Sequence, residues 1–242
     1  MTQKEQTESR IVYDKMQADK ILRPENGEIA RPHAAYPYLN DLLIQMKEYM
    51  NMDDADRDTC CMIFEYAAEQ FTYVPYLPSA VECYTLALKC AENTENSTVL
   101  GEIPDLVYKI AKYRNMIARD RYVADNSVLL MSENDDMIYD KCEDIDTKGK
   151  MKTEDVRTLV RHAAVTAKRS LIADPAEHTP EYAELIFDMN ETLFGSFDSE
   201  MQKSPSFAFA FWAAKKSYLA NHGIAWQTPA ALNPSLRNRS EK

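Results

Sequence analysis

The chain has 242 residues, with 28 lysines and arginines against 39 aspartates and glutamates, so its formal net charge is −11. It contains only 5 glycines, and the closest two are Gly195 and Gly223. Because loops that bind phosphate through backbone amides need several glycines within a few residues, P-loop, Rossmann and kinase-type nucleotide sites are excluded. The acidic charge argues against nucleic acid as a partner. The longest apolar run, Phe207 to Ala214, is too short for membrane insertion, which needs about 20 apolar residues.

Apolar residues recur with helical spacing along most of the chain, and alternating strand-like runs are scarce. The sequence therefore predicts an all-α protein. We divide it into an N-terminal arm at 1–37, a helical-repeat-like region at 38–134, an EF-hand-like region at 135–222 and a C-terminal tail at 223–242. The two end segments are predicted to be extended arms, because residues 22–37 and 224–242 are proline-containing and lack a sustained apolar period.

The segment 61–94 has the spacing of a packed helical hairpin. Small residues at its fixed offsets would let two helices approach closely, and aromatic residues would fill the space between them. In this respect it resembles one tetratricopeptide repeat, in which Pro75 replaces the usual turn glycine and Glu92 the closing proline. An ordinary helical hairpin remains the alternative, since a stable solenoid needs roughly three repeats. The residues that carry the resemblance are Phe64, Ala67, Ala68, Phe71, Ala80, Tyr84 and Ala87.

The segment 137–160 resembles an EF-hand, with a helix, a twelve-residue loop beginning at Asp144 and a second helix. Asp144 and Asp146 stand at loop positions 1 and 3, Gly149 at position 6 and Asp155 at position 12. These three acids are the candidate calcium ligands. We expect the calcium site to be lost or weakened, because position 5 is Lys148 and Asp155 is shorter than the usual glutamate. A further hypothesis is that Lys148 pairs with Asp144 and Asp146 and closes the loop without metal.

Two helices are predicted near the C-terminus. Thr179 and Pro180 indicate the start of the first, which Gly195 ends, and Ser204-Pro205 opens a second that closes at His222-Gly223. The turn between them, at 197–205, has acids at two ligand positions but a lysine where the EF-hand glycine belongs, so it is at most a relic of a second loop. A chance acidic helix-turn-helix explains it equally well.

No motif in the sequence indicates catalysis, because its 4 histidines lie in separate regions and no nucleophile elbow occurs. We therefore expect a non-catalytic structural or adaptor subunit that needs no cofactor and binds other proteins of an assembly. Cysteine usage favours a cytoplasmic location, and the resemblances suggest a cytoskeletal or flagellar one. A calcium-responsive sensor that binds a target helix and a tetratricopeptide-like motif-binding adaptor are the alternatives. The expected protein-binding residues are Phe209, Phe211, Trp212 and Trp226.

Overall fold

The computed structural model describes residues 2–24, 30–126 and 144–233, with the backbone alone at 122–126. Over these residues the chain is helical without β-strands, which confirms the predicted all-α class. None of the described helices is long and apolar enough to cross a bilayer. Short 3₁₀ helices occupy Pro32–Ala35 and Pro175–His178. The α-helices are α1 Gln3–Leu22, α2 Tyr36–Met50, α3 Arg57–Tyr73, α4 Leu77–Ala91, α5 Ser97–Gly101, α6 Ile103–Asn126, α7 Thr153–Lys168, α8 Pro180–Gly195, α9 Ser199–Gln202, α10 Phe207–Asn221 and α11 Pro229–Leu232.

The larger hydrophobic core lies among α1, α2, α3, α4, α6 and α7, and each of these helices packs on the one before it in this order. The connections from α2 to α3 and from α3 to α4 are short, which favours contact between consecutive helices. Val160 and Ala163 of α7 and Ile145 of the preceding loop are buried in this core. The α7 helix therefore belongs to the larger core, while the predicted boundary at 134/135 lies outside the described residues.

The α3–α4 hairpin is the most extensive helix pair in this core. Its burial agrees with the predicted spacing, in which small residues allow a close approach of two helices and aromatic residues fill the remaining space. Whether the hairpin belongs to the tetratricopeptide family stays a prediction, because the same burial is expected of any tightly packed helical pair. The residues that carried the resemblance are all buried: Phe64, Ala67, Ala68, Phe71, Ala80, Tyr84 and Ala87.

The N-terminal segment differs from the predicted extended arm. Its first part is α1, a 20-residue helix that packs on α2 and begins with a capping box between Thr2 and Glu5. The helix buries Ile11 and Ala18 together with two polar side chains, so its apolar stripe is sparse. This sparseness explains why the apolar period did not indicate a helix there.

A smaller hydrophobic core joins α8 and α10 to the start of the C-terminal segment. The α8 helix has the predicted bounds, since Thr179 caps it, Pro180 opens it and Gly195 is its last residue. The predicted extended tail is wrong over residues 224–233, because Trp226 is buried in this core and Asn233 exchanges hydrogen bonds with the backbone of Ile172. The rest of the tail lies outside the described residues, as does the helix predicted to enter the EF-hand-like loop.

Candidate functional site

The EF-hand-like loop turns where the sequence predicts it to turn. Lys148 and Gly149 have positive φ angles of 47° and 75°, and the backbone amide of Lys148 donates a 2.8 Å hydrogen bond to Asp146 Oδ1. Glycine suits the second of these positions, because a side chain there would be strained. The exiting helix α7 begins at Thr153, within the last part of the loop. The loop therefore has its own hydrogen-bonded turn.

The three candidate calcium ligands do not converge on one point. Asp144, Asp146 and Asp155 do not form a group whose ligand oxygens lie within 4.8 Å of one another. Both carboxylate oxygens of Asp144 accept hydrogen bonds from Arg114 of α6, at 2.8 and 2.9 Å. The guanidinium of Arg114 thus already neutralises Asp144. The three acids do not form the cage of oxygen ligands that is typical of calcium sites.

Lys148 does not pair with Asp144 and Asp146 as hypothesised. Its Nζ donates to Asn93 Oδ1 at 3.1 Å and lies 3.9 Å from Glu92 Oε2. Glu92 is the C-cap of α4, so the ammonium sits at the negative end of that helix. The side chain thus connects the loop to α4 instead of closing the loop on itself.

Another acidic group with convergent oxygens lies among the described residues, formed by Glu65, Glu102 and Asp105. The ammonium of Lys109 contacts Glu65 at 3.3 Å and Asp105 at 2.8 Å. Because the group already holds a cation of the chain itself, it is explained as an ion-pair network between α3 and α6.

The α10 aromatic surface, defined as Phe207, Phe209, Phe211 and Trp212, lies at the first half of that helix. None of the four side chains is buried, and Phe209 is 53% exposed. Phe209 contacts the edge of Trp212 at a centroid distance of 5.3 Å, while Phe207 and Phe211 lie against the ring of Phe194 in α8. Three of the four residues predicted to bind protein are therefore neighbours on one helix.

The second half of α10 is fixed by a buried polar network that includes Trp226. Lys215 Nζ donates to Glu177 Oε1 at 3.1 Å and to the hydroxyl oxygen of Tyr182 at 2.6 Å, and Trp226 Nε1 donates to the same glutamate oxygen at 2.6 Å. Burial lowers the pKa of Lys215 and raises that of Tyr182. Trp226 is 3% exposed, so its assignment to partner binding is wrong: its indole is needed inside the protein.

A second buried network, which the sequence reasoning missed, joins α6 to the segment after α7. Arg119 is fully buried and donates to the carbonyl oxygens of Ser170 and Leu171 at 2.9 and 2.8 Å, and it also contacts the neighbouring Asp120. Asp120 in turn lies 3.0 Å from Nε2 of His178. The Nδ1 atom of this histidine has no hydrogen-bond partner among the described residues. The pair thus lacks the third group of a nucleophile–histidine–acid arrangement, and its contacts are those of a structural connection.

Comparison with known proteins identifies no relative: no family model, no curated protein and no solved structure matches this chain.

Proposed function

We propose that the chain is a non-catalytic subunit that binds another protein of a larger assembly through the α10 aromatic surface. One observation carries this proposal. In α10 only Lys215 and Leu219 are buried, whereas Phe209 is exposed and the other aromatic residues of the first half are only partly covered by α8 and the smaller core. Single exposed apolar residues are common on protein surfaces, whereas contiguous apolar patches mark interaction sites. The neighbouring aromatic side chains of α10 form such a patch.

The energetic argument concerns what these side chains gain from a partner. Removing a phenylalanine side chain from water contributes about 1.5–3 kcal/mol. Phe209, the most exposed of the four at 53%, has about half of this free energy still available. Aromatic residues are also enriched in the centres of protein interfaces, where they dominate the binding energy. The α10 aromatic surface has the composition expected for such a centre.

The EF-hand-like loop supports a structural role for the second half of the chain. Its three acids do not converge on one point. Arg114 of α6 binds Asp144, and Lys148 of the loop binds Asn93 just after the end of α4. A loop held in this way needs no ion to keep its position, which favours a subunit over a calcium sensor. A cytoskeletal or flagellar assembly remains the proposed context, on the basis of the EF-hand and repeat resemblances alone.

Substitution of Phe209 tests the proposal. The chain carrying Phe209→Glu is purified by affinity from the cells that express it, and its partners are quantified by mass spectrometry. We expect at least one partner to be lost about tenfold or more, because the variant removes apolar contact and places a charge in the interface. Met62→Glu is the matched control, since Met62 is 59% exposed on α3 of the larger core.

The same variants show which result refutes the proposal. Phe209→Glu should leave the circular dichroism spectrum and the melting temperature near those of the native chain. If it unfolds the protein, Phe209 belongs to the chain's own core. If it folds and recovers the same partners as Met62→Glu, the α10 aromatic surface is not the binding site.

A further inference from the structure

A cavity of about 330 Å³ lies between α4, α6 and the EF-hand-like loop. Leu88 of α4, Ile110 of α6 and Ile145 of the loop form its apolar lining. The size is at the lower end of the range for small-molecule sites, which are mostly apolar with a few polar groups that orient the ligand. The cavity has no lining residue from α10, so ligand binding in it would be independent of the proposed function.

The orienting polar group in this cavity is Glu92. The residue is 7% exposed and lines the cavity, and its Oε1 atom has no hydrogen-bond partner among the described residues. The nearest cation to the other oxygen, Lys148 Nζ, lies 3.9 Å away and is hydrogen-bonded to Asn93. A buried acceptor without a partner is costly, so a ligand that donates a hydrogen bond to it would remove that cost.

The charged side chains that line the cavity are equal in number for the two signs, with Lys89, Arg114 and Lys148 against Glu92, Asp144 and Asp146. A cationic donor is therefore favoured by the unpaired oxygen of Glu92 and not by the net charge. The positive charge of Arg114 is directed to Asp144, with two hydrogen bonds, so it is not available to Glu92. Asp146, a further lining carboxylate, accepts a hydrogen bond from the backbone amide of Lys148. A cation beside Glu92 would gain from this carboxylate and from Asp146 against the repulsion of Lys148, and an apolar stem would pack on the aliphatic lining.

We propose that this cavity binds an alkylguanidinium or alkylammonium group, with Glu92 accepting a hydrogen bond from the cationic head. The chemistry is that of an arginine or lysine side chain, and a free amine such as agmatine has it too. Guanidinium suits the site best, because its planar fork of donors matches the geometry of a carboxylate, and its alkyl chain would pack on the apolar lining.

The pH dependence of binding follows from the ionisation of Glu92. Burial raises the pKa of this carboxyl and Asp146 raises it further, while Lys148 and Lys89 act in the opposite direction. Because a cation binds the ionised carboxylate, its affinity should rise with pH through the raised pKa of Glu92 and then become constant. Arg114 and Asp144, which also line the cavity, are hydrogen-bonded to each other.

Calorimetry on the full chain tests the proposal with two cationic probes, agmatine and a capped arginine, and with capped citrulline as their neutral analogue. Binding of both cationic probes would indicate that the cavity recognises only the cationic head and the alkyl stem. Binding of agmatine alone would indicate that the ligand is a small free amine, and binding of capped arginine alone would indicate that it is an arginine side chain. Glu92→Gln should weaken binding about tenfold or more and abolish its pH dependence. Glu95→Gln, an equal charge change at an exposed position outside the cavity, should not.

Three outcomes would overturn the proposal. One is that neither cationic probe binds saturably, which would mean that water alone satisfies Glu92. Another is that capped citrulline binds to the native protein as tightly as capped arginine, which requires no folded variant to observe. The third is that Glu92→Gln and Glu95→Gln bind the probes equally well.

Discussion

Replacement of Arg119 by methionine should destabilise the protein more than any other single change at a charged side chain described above. Arg119 is fully buried. Its guanidinium donates to the side chain of Asp120 and to three backbone carbonyl oxygens, those of Ala167 near the end of α7 and of Ser170 and Leu171 beyond it. Methionine keeps much of the volume but leaves these acceptors without donors. Each unsatisfied buried group costs about 1–3 kcal/mol, and breaking one side of a buried ion pair costs about 3–5 kcal/mol.

These costs are not additive, so we expect a loss of about 4 kcal/mol, a large part of the 5–15 kcal/mol typical of a folded domain. Urea denaturation followed by circular dichroism measures the change. Arg119→Lys should lose less, because it keeps the charge but not the fork of donors. Arg161→Met, at an exposed position of α7, is the control and should stay within about 0.5 kcal/mol of the native chain. If Arg119→Met also stays within 1 kcal/mol or so, the carbonyls find other donors and the reasoning is wrong.

Three further predictions concern the loop, its turn and α1. Millimolar calcium should leave the melting temperature unchanged, because the acids of the EF-hand-like loop do not converge, and a saturable rise on titration would contradict this. Gly149→Ala should cost about 1 kcal/mol because of its positive φ, whereas Gly195→Ala, in α8, should be neutral or stabilising; equal effects in denaturation curves would refute the strain argument. Tyr66→Phe should lose about 1 kcal/mol, since Tyr66 donates a 2.7 Å hydrogen bond to Asp19. Partial burial acts to raise the pKa of Asp19, but the hydrogen bonds from Lys15 and Tyr66 outweigh it and lower this pKa. The difference in stability between the native chain and Tyr66→Phe should therefore shrink as the pH falls through the lowered pKa of Asp19. A difference that stays constant with pH would contradict this prediction.

Features that depend on local chemistry were predictable from the sequence. The start of α8 at Thr179 and Pro180 and its end at Gly195 follow from capping preferences and from proline's fixed φ. The α3–α4 hairpin follows from the spacing of small and aromatic residues, and the turn at Gly149 from the place of this glycine at position 6 of the EF-hand-like loop. In each case the signal lies within a few residues of the structure that it specifies.

Features that depend on distant partners were not predictable. Trp226 is buried because its indole donates to Glu177, which lies 49 positions earlier, and Arg119 is buried because its acceptors lie 48 to 52 positions later. Nothing near either residue indicates these partners. The α1 helix was missed for another reason, since half of its buried residues are polar and its apolar period is weak. The unpaired oxygen of Glu92 is visible only once α4, α6 and the loop are packed together.

Photo-crosslinking from position 209 tests the central claim most directly. Phe209 is replaced by the photoreactive p-benzoyl-phenylalanine, and the tagged chain is irradiated inside the cells that express it. If the α10 aromatic surface binds a partner, the products are covalent adducts with another protein, and the same probe in place of Met62 does not produce them. Crosslinks confined to the chain itself, or the same adducts from both positions, would contradict the account.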